Sequence, residues 1–185
     1  EVVSIDGKTI RGSKRLGFKT ATHIVSAWAD KNELVLGQIK VDEKSNEITA
    51  IPKLLENLLI KDCIVTIDAM GCQKKIARKI VSKQAAYILA VKENQKELFE
   101  DIQDSFSVLN PSDTSEDIDY GHGRIETRKC YILTDLSLVE EASKWKGLTS
   151  IVKIERERYF KATGKKETES SYYISSLKEA SVINN

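Results

Sequence analysis

The chain has 185 residues, 41% apolar and 31% charged, which excludes a disordered polymer or a membrane-spanning bundle and suits one globular domain with at most an inserted lobe. Its 29 Lys and Arg against 28 Asp and Glu leave a net charge of +1, so a nucleic-acid role would have to come from local patches rather than bulk charge. Cys63, Cys72 and Cys130 lack paired metal-ligand spacing and read as reduced thiols of a cytosolic protein, without a disulfide or zinc.

Val2 to Asp6 alternates β-branched residues into an Asp-Gly turn, which predicts a strand. A basic loop is expected from Lys8 to Lys19, carrying Lys8, Arg11, Lys14, Arg15 and Lys19. His23–Trp28 and Leu34–Val41 predict two strands joined by a hairpin connection. Apolar residues at Ile48, Ile51, Leu54, Leu55, Leu58 and Leu59 then take helical spacing behind Ser45-Asn46-Glu47, with Pro52 expected in the first turn.

Cys63–Asp68 and Ala86–Val91 are short, nearly all-apolar runs that predict strands buried on both faces. Helices are predicted over Gln73–Gln84 and Gln95–Phe106. The resulting order, β-β-β-α-β-α-β-α, is the ribonuclease H-like one: an α/β fold with a mixed sheet and flanking helices, expected over residues 1–108. Asn110 to Asp119 is acidic and polar and predicts a loop. Strands over Arg124–Leu133, Leu148–Arg156 and Ser171–Leu177 follow, so 109–185 is expected to be a β-rich insertion.

Asp6 and Asp68 each end an apolar strand and are each followed closely by glycine. Carboxylates at the C-terminal ends of buried strands suit a sheet-edge crevice, and two of them on adjacent strands would offer hard oxygens to Mg²⁺ or Mn²⁺. Such a site serves phosphoryl chemistry, in which metal ions activate the attacking oxygen and stabilise the leaving one. The residues equally fit a bland reading, with Asp6 opening a turn and Asp68 capping the helix after it.

Lys8 and Arg11 would lie beside this site and Lys92 follows another core strand; all three could neutralise DNA phosphates. Arg124 and Arg128 would share one strand face with Glu126, as a structural Arg-Glu-Arg ladder or as a phosphate-binding face. There is no glycine-rich phosphate loop and no Cys-His pair.

Seven segments go beyond pattern: Ile5-Asp-Gly-Lys-Thr-Ile-Arg-Gly-Ser13, His23-Ile-Val-Ser-Ala-Trp28, Glu43-Lys-Ser-Asn-Glu-Ile-Thr-Ala-Ile-Pro52, Thr66-Ile-Asp-Ala-Met-Gly-Cys-Gln73, Lys92-Glu-Asn-Gln95, Gly121-His-Gly-Arg-Ile-Glu126 and Tyr172-Tyr-Ile-Ser-Ser-Leu177. In this order they resemble the ISAs1 group of bacterial DDE transposases, which includes the H-repeat-associated proteins. The resemblance implies a ribonuclease H-like core, a β-rich insertion, and Mg²⁺-dependent cleavage and transfer of transposon ends. By position, Asp6 and Asp68 become the first two catalytic acids and metal ligands. DNA, as transposon ends and target, becomes the partner, with no membrane, a homodimer for the complete protein, and a cytoplasmic, nucleoid-associated location in a bacterium.

The third acid is implied to come from a His-Trp-x-Ile-Glu-Asn helix after Tyr-Tyr-Ile-Ser-Ser-Leu, whereas this chain ends Lys178-Glu-Ala-Ser-Val-Ile-Asn-Asn185. The expectation is a chain that stops before its last catalytic carboxylate and is inactive or nearly so by itself. Glu126 is the alternative third acid, although its strand-like surroundings fit that role poorly. A non-catalytic DNA-binding or dimerisation remnant is the competing reading.

Overall fold

Val3 and Ile5 are buried while Val2 and Ser4 are half-exposed, and this period of two builds the first strand, β1 (Val2–Thr9). In the computed structural model, which describes residues 1–10, 22–41, 46–121 and 123–177, the chain forms two units. Glu1–Ala90 with Ser143–Gly147 make the first, and Val91–Ala142 with Leu148–Asn185 the second. Arg11, expected in the basic loop, lies outside the described residues.

The first unit follows the expected element order as far as its last strand; the helix expected to close it over residues 1–108 falls in the second unit. After β1 come β2 (His23–Ala29), β3 (Leu34–Val41), α1 (Glu47–Glu56), β4 (Ile64–Ile67), α2 (Lys74–Ser82) and β5 (Ala86–Val91). The strands lie side by side as β3-β2-β1-β4-β5. β1 runs antiparallel to β2, and β2 antiparallel to β3. β4 runs parallel to both β1 and β5, as the crossover helices between them require.

One face of this sheet carries buried Val3, Ile5, Val25, Ala27, Val65, Ile67, Tyr87 and Leu89. α1 packs against β2, β3 and α2, burying Ala50, Ile51, Leu54 and Leu55; each large side chain so removed from water contributes about 1.5–3 kcal/mol. Gly37 of β3 lets α1 approach, because a Cβ there would sit 3.2 Å from both Leu54 and Leu58. The start of α1 is set by a capping box: the Asn46 side chain accepts from the Thr49 amide at 3.2 Å and the Thr49 hydroxyl accepts from the Asn46 amide at 3.3 Å.

Two local expectations are corrected here. Because α1 begins at Glu47, Pro52 lies beyond the first turn and its ring nitrogen cannot donate along the helix; capping and packing hold the helix around it. Lys8 belongs to β1 rather than to a loop, since β1 pairs with β2 as far as Thr9. At its other end α1 is closed by a side chain from beyond α2: the Lys83 ammonium donates to the carbonyls of Leu55, Glu56 and Leu58 at 2.7, 2.7 and 2.6 Å.

The second unit has one long helix, α3 (Lys96–Val108), and four strands, β6 (Asp113–Gly121), β7 (Arg124–Leu133), β8 (Ser150–Phe160) and β9 (Lys165–Ser175). The strands form an antiparallel meander in the order β9-β8-β7-β6. Cys130, Ile132 and Val152, with Ile154 and Tyr173 against them, make a small core. Phe99 of α3 meets Tyr172 of β9 edge-on, with ring centroids 5.4 Å apart.

The acidic segment Asn110 to Asp119 is not the expected loop, because most of it is β6. β6 is exposed almost throughout, so it carries no apolar alternation. What makes it a strand is pairing with β7, reinforced by Glu116 to Lys129 and Asp117 to Arg128, each at 3.7 Å. Charged side chains on an edge strand also discourage further strand addition.

Candidate active site

The register of β1 and β4 brings the two predicted aspartates together. The parallel ladder pairs Ser4 with Thr66 and Ile5 with Ile67, so Asp6 and Asp68 are the next residues on neighbouring strands, whose backbones run about 4.8 Å apart. The Thr66 hydroxyl donates to the Ser4 hydroxyl at 3.2 Å, showing that the even-numbered side chains of both strands share a face. Asp68 keeps an extended backbone, φ −66° and ψ 175°, so the alternation carries through to it. Both aspartates are exposed.

Neither carboxylate is idle. Oδ1 of Asp68 accepts from the amides of Met70 and Gly71 at 3.2 and 3.4 Å and caps the 3₁₀ turn Ala69–Gly71. Oδ2 of Asp6 lies 3.6 Å from the Lys8 ammonium, itself 80% exposed. Asp68 is therefore a cap, of the 3₁₀ turn rather than of the predicted helix, which has Gln73 at its N-cap. Its second oxygen lies outside those bonds. Asp6 opens no turn, because β1 continues through Gly7 to Thr9. Two carboxylates side by side, Asp6 within β1 and Asp68 just past the end of β4, fit a hard divalent cation as part of an oxygen ligand set. Among the described residues no group of three or more His, Cys, Asp or Glu gathers into a metal site.

On the opposite face of the same strand end is a network the sequence reading missed. The His23 ring lies between the Thr9 hydroxyl, 3.0 Å from Nδ1, and the Glu47 carboxylate, 2.6 Å from Nε2. Each of the three residues stood inside a segment already singled out, but only the cross-strand register of Thr9 with His23 brings them together.

Lys92 and Glu126 belong to the second unit. Lys92 is exposed and precedes the 3₁₀ turn Glu93–Gln95. Glu126 is only 3% exposed although it sits on a thin sheet. Arginines cover it: Arg128 at 2.5 Å and Arg156 at 3.3 Å on Oε1, Arg158 at 3.2 Å and Arg124 at 3.4 Å on Oε2. Burial pushes the Glu126 carboxyl up, but the hydrogen bonds from Arg128 and Arg158, together with the charges of Arg128 and Arg156, outweigh it and hold the group below its ordinary value.

This is the expected Arg-Glu-Arg ladder, widened by two arginines of β8. Acids on the flanking strands balance it, with Asp117 and Asp119 of β6 opposite Arg128 and Glu126, and Glu167 and Glu169 of β9 opposite Arg158 and Arg156. Both Glu126 oxygens are thereby engaged.

No helix among the described residues is long and apolar enough to cross a membrane. The chain matches the family described as "Transposase DDE domain" over residues 1–129. Two relatives bearing transposase names come from Escherichia coli (strain K12). YncI is 52% identical over 133 residues, covering 69% of this chain and 54% of its own length. The H repeat-associated YhhI is 44% identical over 185 residues, covering 95% of this chain and 49% of its own. The chain thus spans about half the length of these relatives.

Among solved structures, a piggyBac transposase synaptic complex with hairpin DNA matches 100% of this chain and 34% of its own, with a TM-score of 0.50 at 12% identity, a likeness of fold. The match over 1–129 takes in both Asp6 and Asp68 and places the chain in the DDE transposase family.

Proposed function

We propose that this chain is the catalytic-core part of a transposase, with a ribonuclease H-like first unit in which Asp6 and Asp68 hold a divalent cation for DNA strand cleavage and transfer. The observation that carries the reading is the parallel register of Ile5 with Ile67, which sets the next two residues, both aspartates, side by side. The strand order β3-β2-β1-β4-β5, with one antiparallel and one parallel half, supports the fold assignment.

A bound Mg²⁺ or Mn²⁺ would polarise the scissile phosphate and lower the barrier to attack by water or a 3′ hydroxyl. The chain's own contribution is positional. Asp68, tied by one oxygen to the turn after β4, presents the other at a fixed angle, and Asp6 is held on a strand rather than on a loop. Lys8 and Lys92 are assigned to DNA phosphates, which basic side chains engage without reading sequence. Arg124 and Arg128, 41% and 43% exposed at the side chain, add phosphate contacts to their work in the ladder. Arg11 completes the set from outside the described residues.

With both Glu126 oxygens covered by arginine, we give that residue a structural role, and the set of acids for catalysis is incomplete among the described residues. The chain alone is then a weak cation binder and a poor nuclease. Calorimetric titration with Mn²⁺ of the wild-type chain, Asp6→Ala and Asp68→Ala tests this. Weak binding lost in both variants supports the carboxylate pair. Absence of binding in all three favours a non-catalytic DNA-binding or dimerisation remnant.

A further inference from the structure

We infer that His23 and Glu47 are positioning residues for the Asp6 carboxylate, acting through the backbone of the overhanging end of β1; this rests on the carboxylate-pair reading above. β1 has β4 beside it only as far as Ile5, after which β4 ends and the chain leaves beyond Asp68 into the 3₁₀ turn Ala69–Gly71. From Asp6 to Thr9 the strand is laddered on the β2 side alone. A carboxylate on a one-sided overhang can be placed accurately only if something else fixes the overhang.

The Thr9–His23–Glu47 network supplies that fixing from the face opposite Asp6. A carboxylate accepts but cannot donate, so His23 Nε2–H donates to Glu47 Oε1 at 2.6 Å, and in the neutral ring Nδ1 accepts from the Thr9 hydroxyl at 3.0 Å. Glu47 is the first residue of α1, behind the Asn46 capping box, and its side chain is only 13% exposed. It is an anchor on a packed helix rather than a solvated acid.

Gly7, the residue between Asp6 and Lys8, completes the contact. A Cβ on Gly7 would overlap the Glu47 carboxyl group, so the carboxylate rests directly on the β1 backbone beside Asp6. Residues from three separate segments, Gly7 with Thr9, His23, and Glu47, thus converge on one strand end. The chemical logic is that of an outer-shell support: it touches no ligand and fixes the group that does.

The test combines amide hydrogen exchange with Mn²⁺ titration on the 185-residue chain, using His23→Ala, Glu47→Ala and Glu47→Gln. In the two alanine variants the Asp6 and Lys8 amides should exchange roughly tenfold faster, with Val3 and Val65 unchanged. Mn²⁺ affinity should fall roughly 10-fold. Glu47→Gln keeps an oxygen facing the imidazole N–H and should restore both values to near wild type.

If both alanine variants lower the melting temperature yet leave exchange at Asp6 and Lys8 unchanged, the network merely seats α1 and the inference fails. If the wild-type chain binds no Mn²⁺, the carboxylate-pair reading fails and takes the metal role of His23 and Glu47 with it. The exchange measurement then still decides whether the two residues hold the strand.

Discussion

Arg128 of β7 lies directly across from Arg156 of β8, and both guanidinium groups turn onto the same oxygen of Glu126. Like charges opposite one another on a sheet repel, so this pair persists only because a buried carboxylate stands between them. Removing that carboxylate should therefore cost more stability than removing any one arginine. Glu126→Gln is expected to lower the thermal midpoint further than Arg124→Ala, Arg128→Ala, Arg156→Ala or Arg158→Ala, each of which leaves three partners in place. Differential scanning calorimetry on the five variants ranks them.

The same carboxylate predicts a pH dependence. Its folded value lies below the ordinary 4.5, so its contribution is fully present above that value and is lost as the pH falls through the folded one. The stability difference between wild type and Glu126→Gln should be constant through neutral pH and shrink in the acid range below 4.5. Urea denaturation at a series of pH values measures it; a gap that widened on acidification would contradict the assignment.

Lys83 closes α1 with three carbonyl contacts. Lys83→Met keeps the aliphatic stem and removes the donors, leaving the carbonyls of Leu55, Glu56 and Leu58 without this partner. The expected loss is about 1.5–3 kcal/mol, the usual range for a hydrogen bond to a charged group, read from the midpoint of denaturant unfolding.

The cysteines should divide by accessibility. Cys72 is fully buried and its thiol is pushed up to about 12 by burial. Cys130 is 8% exposed and is raised by burial first and by Asp113 second. Cys63 is only partly covered. Because the thiolate is the reactive form, iodoacetamide on the native chain should label Cys63 alone, and denaturant should release the other two to reaction, as peptide mass mapping would report.

How much of this was legible in the sequence depended on apolar patterning. Leu34–Val41 and Ala86–Val91 are found with the predicted bounds, because their composition and flanking turns leave little choice of state. The hairpin halves Glu157–Phe160 and Lys165–Ser170 escaped notice. There the residues are mostly half-buried in β8 and exposed in β9, so no apolar alternation marks the strand and only pairing across to β7 and β8 defines it. Similarly, Asp68 could be read as following a strand end, whereas Asp6 lies within β1 rather than at its end; the adjacency of the two is a matter of register, and so are the two β8 arginines that complete the cover of Glu126.

Asp68 carries two proposed duties on two oxygens, and substitutions can separate them. Asn caps a helical turn about as well as Asp, so Asp68→Asn should keep the contacts of its remaining oxygen with Met70 and Gly71 and leave stability almost unchanged. Asp68→Ala removes the cap and should cost about 1 kcal/mol. Divalent binding needs the charge as well as the oxygen, so both variants should lose Mn²⁺ affinity to a similar extent. The decisive comparison is Asp68→Asn, with stability retained and metal binding lost. If it bound Mn²⁺ as wild type does, the capping oxygen would be all that Asp68 supplies, and the cation would have to be held elsewhere.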